Sequence, residues 1–141
     1  MKLQVKRLDP KAKLPTTGYQ GDAGLDLYAL EAVTVPAGQT LSNIRTGIAI
    51  AIPAGYVGLC WDKSGLAANH GITVLAGVID SGFRGEMLLT VYNTSQEDYH
   101  FTAGDKVMQI LIQPVESMQV VEVEELPVSE RGHGSFGSTG K

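Results

Sequence analysis

A chain of 141 residues suits a single hydrophobic core, and a fold of that size buries roughly 68–70% of the surface its unfolded chain exposes. Composition is 43% apolar and 18% charged, and the net charge is −4 with 11 scattered basic residues, which argues against nucleic acid or an anionic membrane as partner. Cys60 is the only cysteine, so an intrachain disulfide and a thiolate metal cluster are excluded.

The opening residues Met1-Lys-Leu-Gln-Val-Lys6 alternate polar and apolar instead of building a signal core, and no run nears the ~18 apolar residues of a membrane span. A cytoplasmic location is expected. Short or period-two apolar runs predict strands at Leu3–Val5, Leu25–Tyr28, Thr40–Ile44, Gly47–Ile52, Tyr56–Trp61, Ile72–Ile79, Met87–Tyr92, Lys106–Gln113 and Gln119–Val123. Between them one device recurs as Pro36-Ala-Gly38, Pro53-Ala-Gly55 and Thr102-Ala-Gly104. With the first residue at the second turn position and glycine at the fourth, these read as type I reversals. A short helix starting near Ser64 is the only helical candidate. The expected fold is all-β, a single-domain jelly roll or sandwich spanning residues 1–126, followed from Pro127 by a small, polar, glycine-rich tail over 127–141.

Several residues could carry chemistry, each beside a plainer structural role. Asp26 interrupts Leu25 and Leu27 on a strand, so it either faces solvent or, with a triphosphate supplying other oxygens, serves a magnesium ion. Ser64 and Gly65 open the short helix, where they could bind an anion, or Ser64 could simply cap it. Asp80, in Gly77-Val-Ile-Asp-Ser-Gly-Phe-Arg-Gly85, either caps its own turn or acts as a general base on water. Phe83 beside it could equally be core. The three histidines lack metal-ligand spacing, and no Walker loop or nucleophile elbow is present. By composition the tail Arg131–Gly140 is disordered. Yet Arg131, Phe136, Ser138 and Thr139 among glycines also suit a mobile lid over a nucleotide, with N–H groups and a guanidinium on phosphate and a ring on the base.

Five motifs in sequence order resemble those of the trimeric dUTP nucleotidohydrolase (dUTPase) family: Ala23-Gly-Leu-Asp-Leu-Tyr-Ala29, Lys63-Ser-Gly-Leu-Ala67, Gly77–Gly85, Gly104-Asp-Lys-Val-Met-Gln109 and the tail. The resemblance implies a dUTPase-like β-clip fold, a homotrimer whose sites are shared between subunits, and Mg2+-assisted hydrolysis of dUTP to dUMP and pyrophosphate. Such activity would keep uracil out of DNA and supply dUMP for dTMP synthesis. It implies Asp80 as base for the attacking water and Asp26 as a metal residue acting through water. Lys63, Ser64, Gly65, Gln109, Arg131, Ser138 and Thr139 would bind phosphate. Gly77, Val78, Ile79, Phe83, Phe136 and Gly137 would bind uracil and deoxyribose. Lys63 and Lys106 stand where arginine is usual and Asp62 where proline is usual, so Asp62 is expected to neutralise Lys63 in part, and Phe83 keeps the ring of the usual tyrosine without its phenol.

The nearest rival is a dCTP deaminase-like enzyme on the same fold, but Thr90 stands where that reaction needs a glutamate. A non-catalytic trimer binding nucleotide or a protein partner is the other alternative. The retained Asp26, Asp80, Arg131 and Phe136 speak against it.

Overall fold

The computed structural model describes residues 2–136 and 138. Their elements are β1 (Gln4–Arg7), β2 (Leu25–Tyr28), β3 (Val33–Val35), β4 (Thr40–Arg45), β5 (Ile48–Ala51), β6 (Tyr56–Trp61), α1 (Ser64–His70), β7 (Ile72–Leu75), β8 (Val78–Ile79), β9 (Leu88–Asn93), β10 (Tyr99–Phe101) and β11 (Lys106–Pro114). All pairings are antiparallel. A four-stranded sheet ordered β2-β11-β6-β8 and a three-stranded sheet ordered β4-β9-β7 are joined by two ribbons, β1-β5 and β10-β3. The all-β expectation is met.

Alternation along the strands builds the core. Leu27, Ile44, Ile48, Ile50, Ile72, Leu89, Val91, Val107, Met108 and Ile110 are each 2% exposed or less, and Phe101 joins them. Each large apolar side chain so buried contributes about 1.5–3 kcal/mol over leaving it in water. No helix among the described residues is long and apolar enough to cross a membrane.

Four details differ from the sequence reading. In the three turns, Gln39, Tyr56 and Asp105 donate their N–H groups to the carbonyls of Pro36, Pro53 and Thr102. That puts the glycine third, not fourth. Gly38, Gly55 and Gly104 have φ of 65°, 79° and 84°, the left-handed conformation that the third position of a type II turn demands and glycine adopts without steric cost. The run Ile72–Ile79 is two strands, because Ala76 takes φ 53° and the chain leaves the β7 sheet for the β6 sheet. Strands β3 and β10 are too short to declare themselves by alternation. Finally, Gln119–Val123 forms no strand: Val120 is 94% exposed and Val121 67%, and neither finds a sheet edge or core in the single chain.

Candidate functional site

Three strands present one row of side chains. Asp26 on β2 is opposite Gln109 on β11, which is opposite Trp61 on β6. Simple alternation would put Lys106 on the other face from Gln109. A register shift between Lys106 and Met108 inserts Val107 as an extra residue, and Lys106 turns onto the face of Asp26 and Gln109. These residues, with Tyr19, Asp22, Gly24, Asp62, Lys63 and Ser64, line an open cleft of about 730 Å³.

Asp26 is 3% exposed, so it is not on a solvated outer face. Lys63 Nζ donates to its Oδ1 at 2.5 Å, and Lys106 Nζ lies 2.7 Å from its Oδ2. Burial pushes the Asp26 carboxyl up, but the hydrogen bonds and charges of Lys106 and Lys63 outweigh it and hold the carboxyl below its ordinary value. Asp26 in return holds the Lys106 ammonium above its ordinary value, chiefly through their hydrogen bond. Two ammonium groups thus converge on one carboxylate in the cleft floor. Asp62 does not neutralise Lys63 as expected. Its carboxylate instead accepts from Val74 N–H at 2.6 Å and the Thr73 hydroxyl at 3.0 Å.

Lys63, not Ser64, is the N-cap of α1, and no side chain caps the helix, so the capping role for Ser64 does not hold. Ser64 lines the cleft. Gly65 borders open space on the neighbouring side of Lys63. Gln109 donates its side-chain N–H to the Asp62 carbonyl at 2.8 Å, and any side chain at Gly24 would collide with the Gln109 amide, so that glycine is what lets the amide lie in the cleft.

Among the described residues no three His, Cys, Asp or Glu side chains converge on a metal site. Of the carboxylates lining the cleft, Asp26 already accepts from two ammonium groups, Asp22 accepts from Tyr19 N–H and Asp62 is turned to β7. Such a set does not cage a bare ion; it suits a magnesium ion only where a triphosphate and waters supply most of the oxygens.

A second group of candidates lies on the hairpin after β7. The Gly77 carbonyl accepts from Cys60 N–H at 2.8 Å, and a Cβ at Gly77 would press on the Cys60 carbonyl, so only glycine lets the hairpin approach β6 this closely. Strand β8 is the edge of its sheet and leaves backbone groups of Val78 and Ile79 without a strand partner on one side. Asp80 begins a turn that Phe83 N–H closes at 3.1 Å; among the described residues its carboxylate makes no hydrogen bond, so it does not cap that turn. Phe83 is 42% exposed rather than core, and its ring lies over Gly85, where a Cβ would meet it at 2.8 Å.

In one chain the hairpin does not join the cleft: Asp80 and Phe83 are absent from its lining. The tail stands apart from both. Arg131 donates to the Gly134 carbonyl at 3.0 Å within the tail itself, and Phe136 is fully exposed. Ser138 bonds back to the Ser135 carbonyl through its N–H. Gly137 and Thr139 lie outside the described residues. Sequence reasoning missed Trp61 and Tyr19 as cleft residues and Lys106 as a partner of Asp26. The Trp61 position could have been found from its alternation on β6; the bulge that turns Lys106 has no signal in the sequence.

The family model described as dUTPase matches residues 10–140. The deoxyuridine 5'-triphosphate nucleotidohydrolase of Thermobifida fusca is 45% identical over 99% of this chain and 79% of its own. That of Clostridium kluyveri is 45% identical over 99% of both chains. Among solved structures, a mutant dUTPase of Staphylococcus bacteriophage 80alpha with dUpNHpp superposes with a TM-score of 0.92 at 29% identity, covering 99% of each chain. A mutant dUTPase from phage phi11 of S. aureus, described as coordinating a structural Mg(II) ion, superposes at 0.81 with 27% identity over 89% of this chain and 98% of that one.

Proposed function

The chain belongs to the dUTPase family, and from that premise we propose that it hydrolyses dUTP to dUMP and pyrophosphate in sites shared by three copies. The observation that carries the reading is the cleft itself, which gathers Asp26, Lys63, Ser64 and Gln109 from separate motifs while the Asp80 hairpin remains exposed.

The hydrogen-bonding capacity of each part suits a different part of the substrate. Lys63, Ser64, Gly65 and Gln109 donate to phosphate oxygens, and one N–H of the Gln109 amide remains free for this after the other bonds to Asp62. Backbone groups of Gly77, and of Val78 and Ile79 on the free edge of β8, read the uracil edge, where cytosine offers the wrong pattern. A site built to satisfy such groups rejects a mismatched base by roughly 10⁴-fold. The Phe83 ring crowds the sugar where a ribose would carry its 2′-hydroxyl. Asp80, with no hydrogen bond of its own among the described residues, accepts the proton of a water whose oxygen attacks the α-phosphorus. The bond from that phosphorus to the bridging oxygen breaks, and pyrophosphate leaves.

Asp26 would hold, through water, a magnesium ion arriving with the triphosphate, and that ion would screen the triphosphate charge. The tail of residues 127–141 closes from another subunit, with Arg131, Ser138 and Thr139 on phosphate and Phe136 and Gly137 over the base. The product dUMP would serve dTMP synthesis, and dUTP removal would limit uracil in DNA.

The test is pyrophosphate release from dUTP, dCTP, dTTP and UTP with magnesium, for the wild type and for Asp80→Asn. The reading requires dUTP to be strongly preferred and the variant to be nearly inactive. Equal use of dCTP or UTP, or normal turnover by the variant, would overturn it.

A further inference from the structure

We infer that Asp62 is a positioning residue for triphosphate binding, through a staple between the two sheets that fixes the phosphate-binding segment. This inference rests on the dUTP reading above. Strand β7 is the edge of its sheet, paired with β9 on one side only. On the other side its Val74 N–H would be unsatisfied. The Asp62 carboxylate, at the end of β6, accepts that N–H at 2.6 Å and the Thr73 hydroxyl at 3.0 Å. The backbone carbonyl of the same residue accepts from Gln109 at 2.8 Å. Lys63 and Ser64 follow it directly in the chain and line the cleft with it.

One residue therefore ties together the orientation of the Gln109 amide, the start of the Lys63-Ser64-Gly65 segment, and strand β7. The carboxylate is directed at β7 and not at the ammonium of Lys63, so it acts on the phosphate-binding segment through placement. Groups that grip phosphate equally in the ground and transition states, once displaced, weaken binding without slowing chemistry. Misplacement by about 1 Å is enough for a substantial loss.

The experiment compares Asp62→Ala, Asp62→Asn and Thr73→Val with the wild type, reading dUTP kcat and KM together with binding of dUpNHpp followed by the fluorescence of Trp61. Asp62→Ala should raise KM and the dUpNHpp dissociation constant by roughly tenfold with kcat within about twofold. Asp62→Asn should stay near wild type, since an amide can accept from Val74 N–H and donate to the Thr73 hydroxyl. Thr73→Val, which removes one bond of the staple, should raise KM by roughly threefold and serves if the alanine variant does not fold. Unchanged KM in either soluble variant, a loss confined to kcat, or an asparagine variant as impaired as alanine would each overturn the inference. A wild-type protein that neither binds nor hydrolyses dUTP would overturn the dUTP reading and this inference together, whereas normal wild-type turnover with unchanged variants overturns this inference alone.

Discussion

Asp26 and Lys63 meet at 2.5 Å in the cleft floor, and the contact leaves the Asp26 carboxylate nearly inaccessible to solvent while Lys106 closes on its other oxygen. A buried carboxylate held this way depends on both cations, and they on it. Asp26→Asn should therefore lower the unfolding free energy by about 1–3 kcal/mol, because two ammonium groups then face each other across a neutral amide. Denaturant unfolding at low and high salt checks this: screening should recover part of the loss in the variant, and an unchanged midpoint would show that the lysines do not depend on the carboxylate.

The pH dependence of stability follows from two groups with opposite shifts. The Asp26 carboxyl is held below its ordinary 3.8, against burial, by Lys106 and Lys63, so its contribution is complete above that value and is lost as pH falls through the lower, folded value. Burial pushes the Cys60 thiol from 9.0 up to about 11, so its contribution is complete below 9 and is lost as pH rises toward 11. Unfolding free energy measured against pH should fall at both ends. Cys60→Ala should lack the alkaline contribution, and native protein at pH 8 should resist thiol reagents that label it at once when unfolded. Cys60 is half-buried, and rapid labelling of the native protein would contradict a thiol raised to about 11.

Much of this arrangement was legible in the sequence, and what was not has identifiable causes. Strands β2 and β6 were read to the residue because alternation and flanking turns agree there. The grouping of Asp26, Ser64 and Gln109 followed from the resemblance, not from spacing, since three different strands and a helix carry the cleft. The Lys106 pairing rests on a bulge, the break at Ala76 on a strained φ, and the turn type on which carbonyl accepts a hydrogen bond. None of these three is a compositional property. Gln119–Val123 misled because its alternation is real, while a sheet edge to receive it is lacking in one chain.

The proposed shared sites require three copies, and the unpartnered apolar segment Gln119–Val123 is a candidate to lie between them. Light scattering should return about three times the 15.0 kDa chain mass. A monomer at micromolar concentration would contradict shared sites.

The lid role of the tail predicts a separation between assembly and activity. Truncation after Pro127 should leave secondary structure and three-chain assembly intact while abolishing most dUTP turnover, since the described residues of the tail pack on none of the core. Full activity in the truncated protein would rule out Arg131 and Phe136 as parts of the site.

The most direct measurement of the central claim is dUTP hydrolysis in water enriched in oxygen-18, followed by mass analysis of both products. Attack of an Asp80-activated water on the α-phosphorus predicts one heavy oxygen in dUMP and none in pyrophosphate. Label in pyrophosphate, with unlabelled dUMP, would place the attack on the β-phosphorus and contradict the chemistry assigned to Asp80.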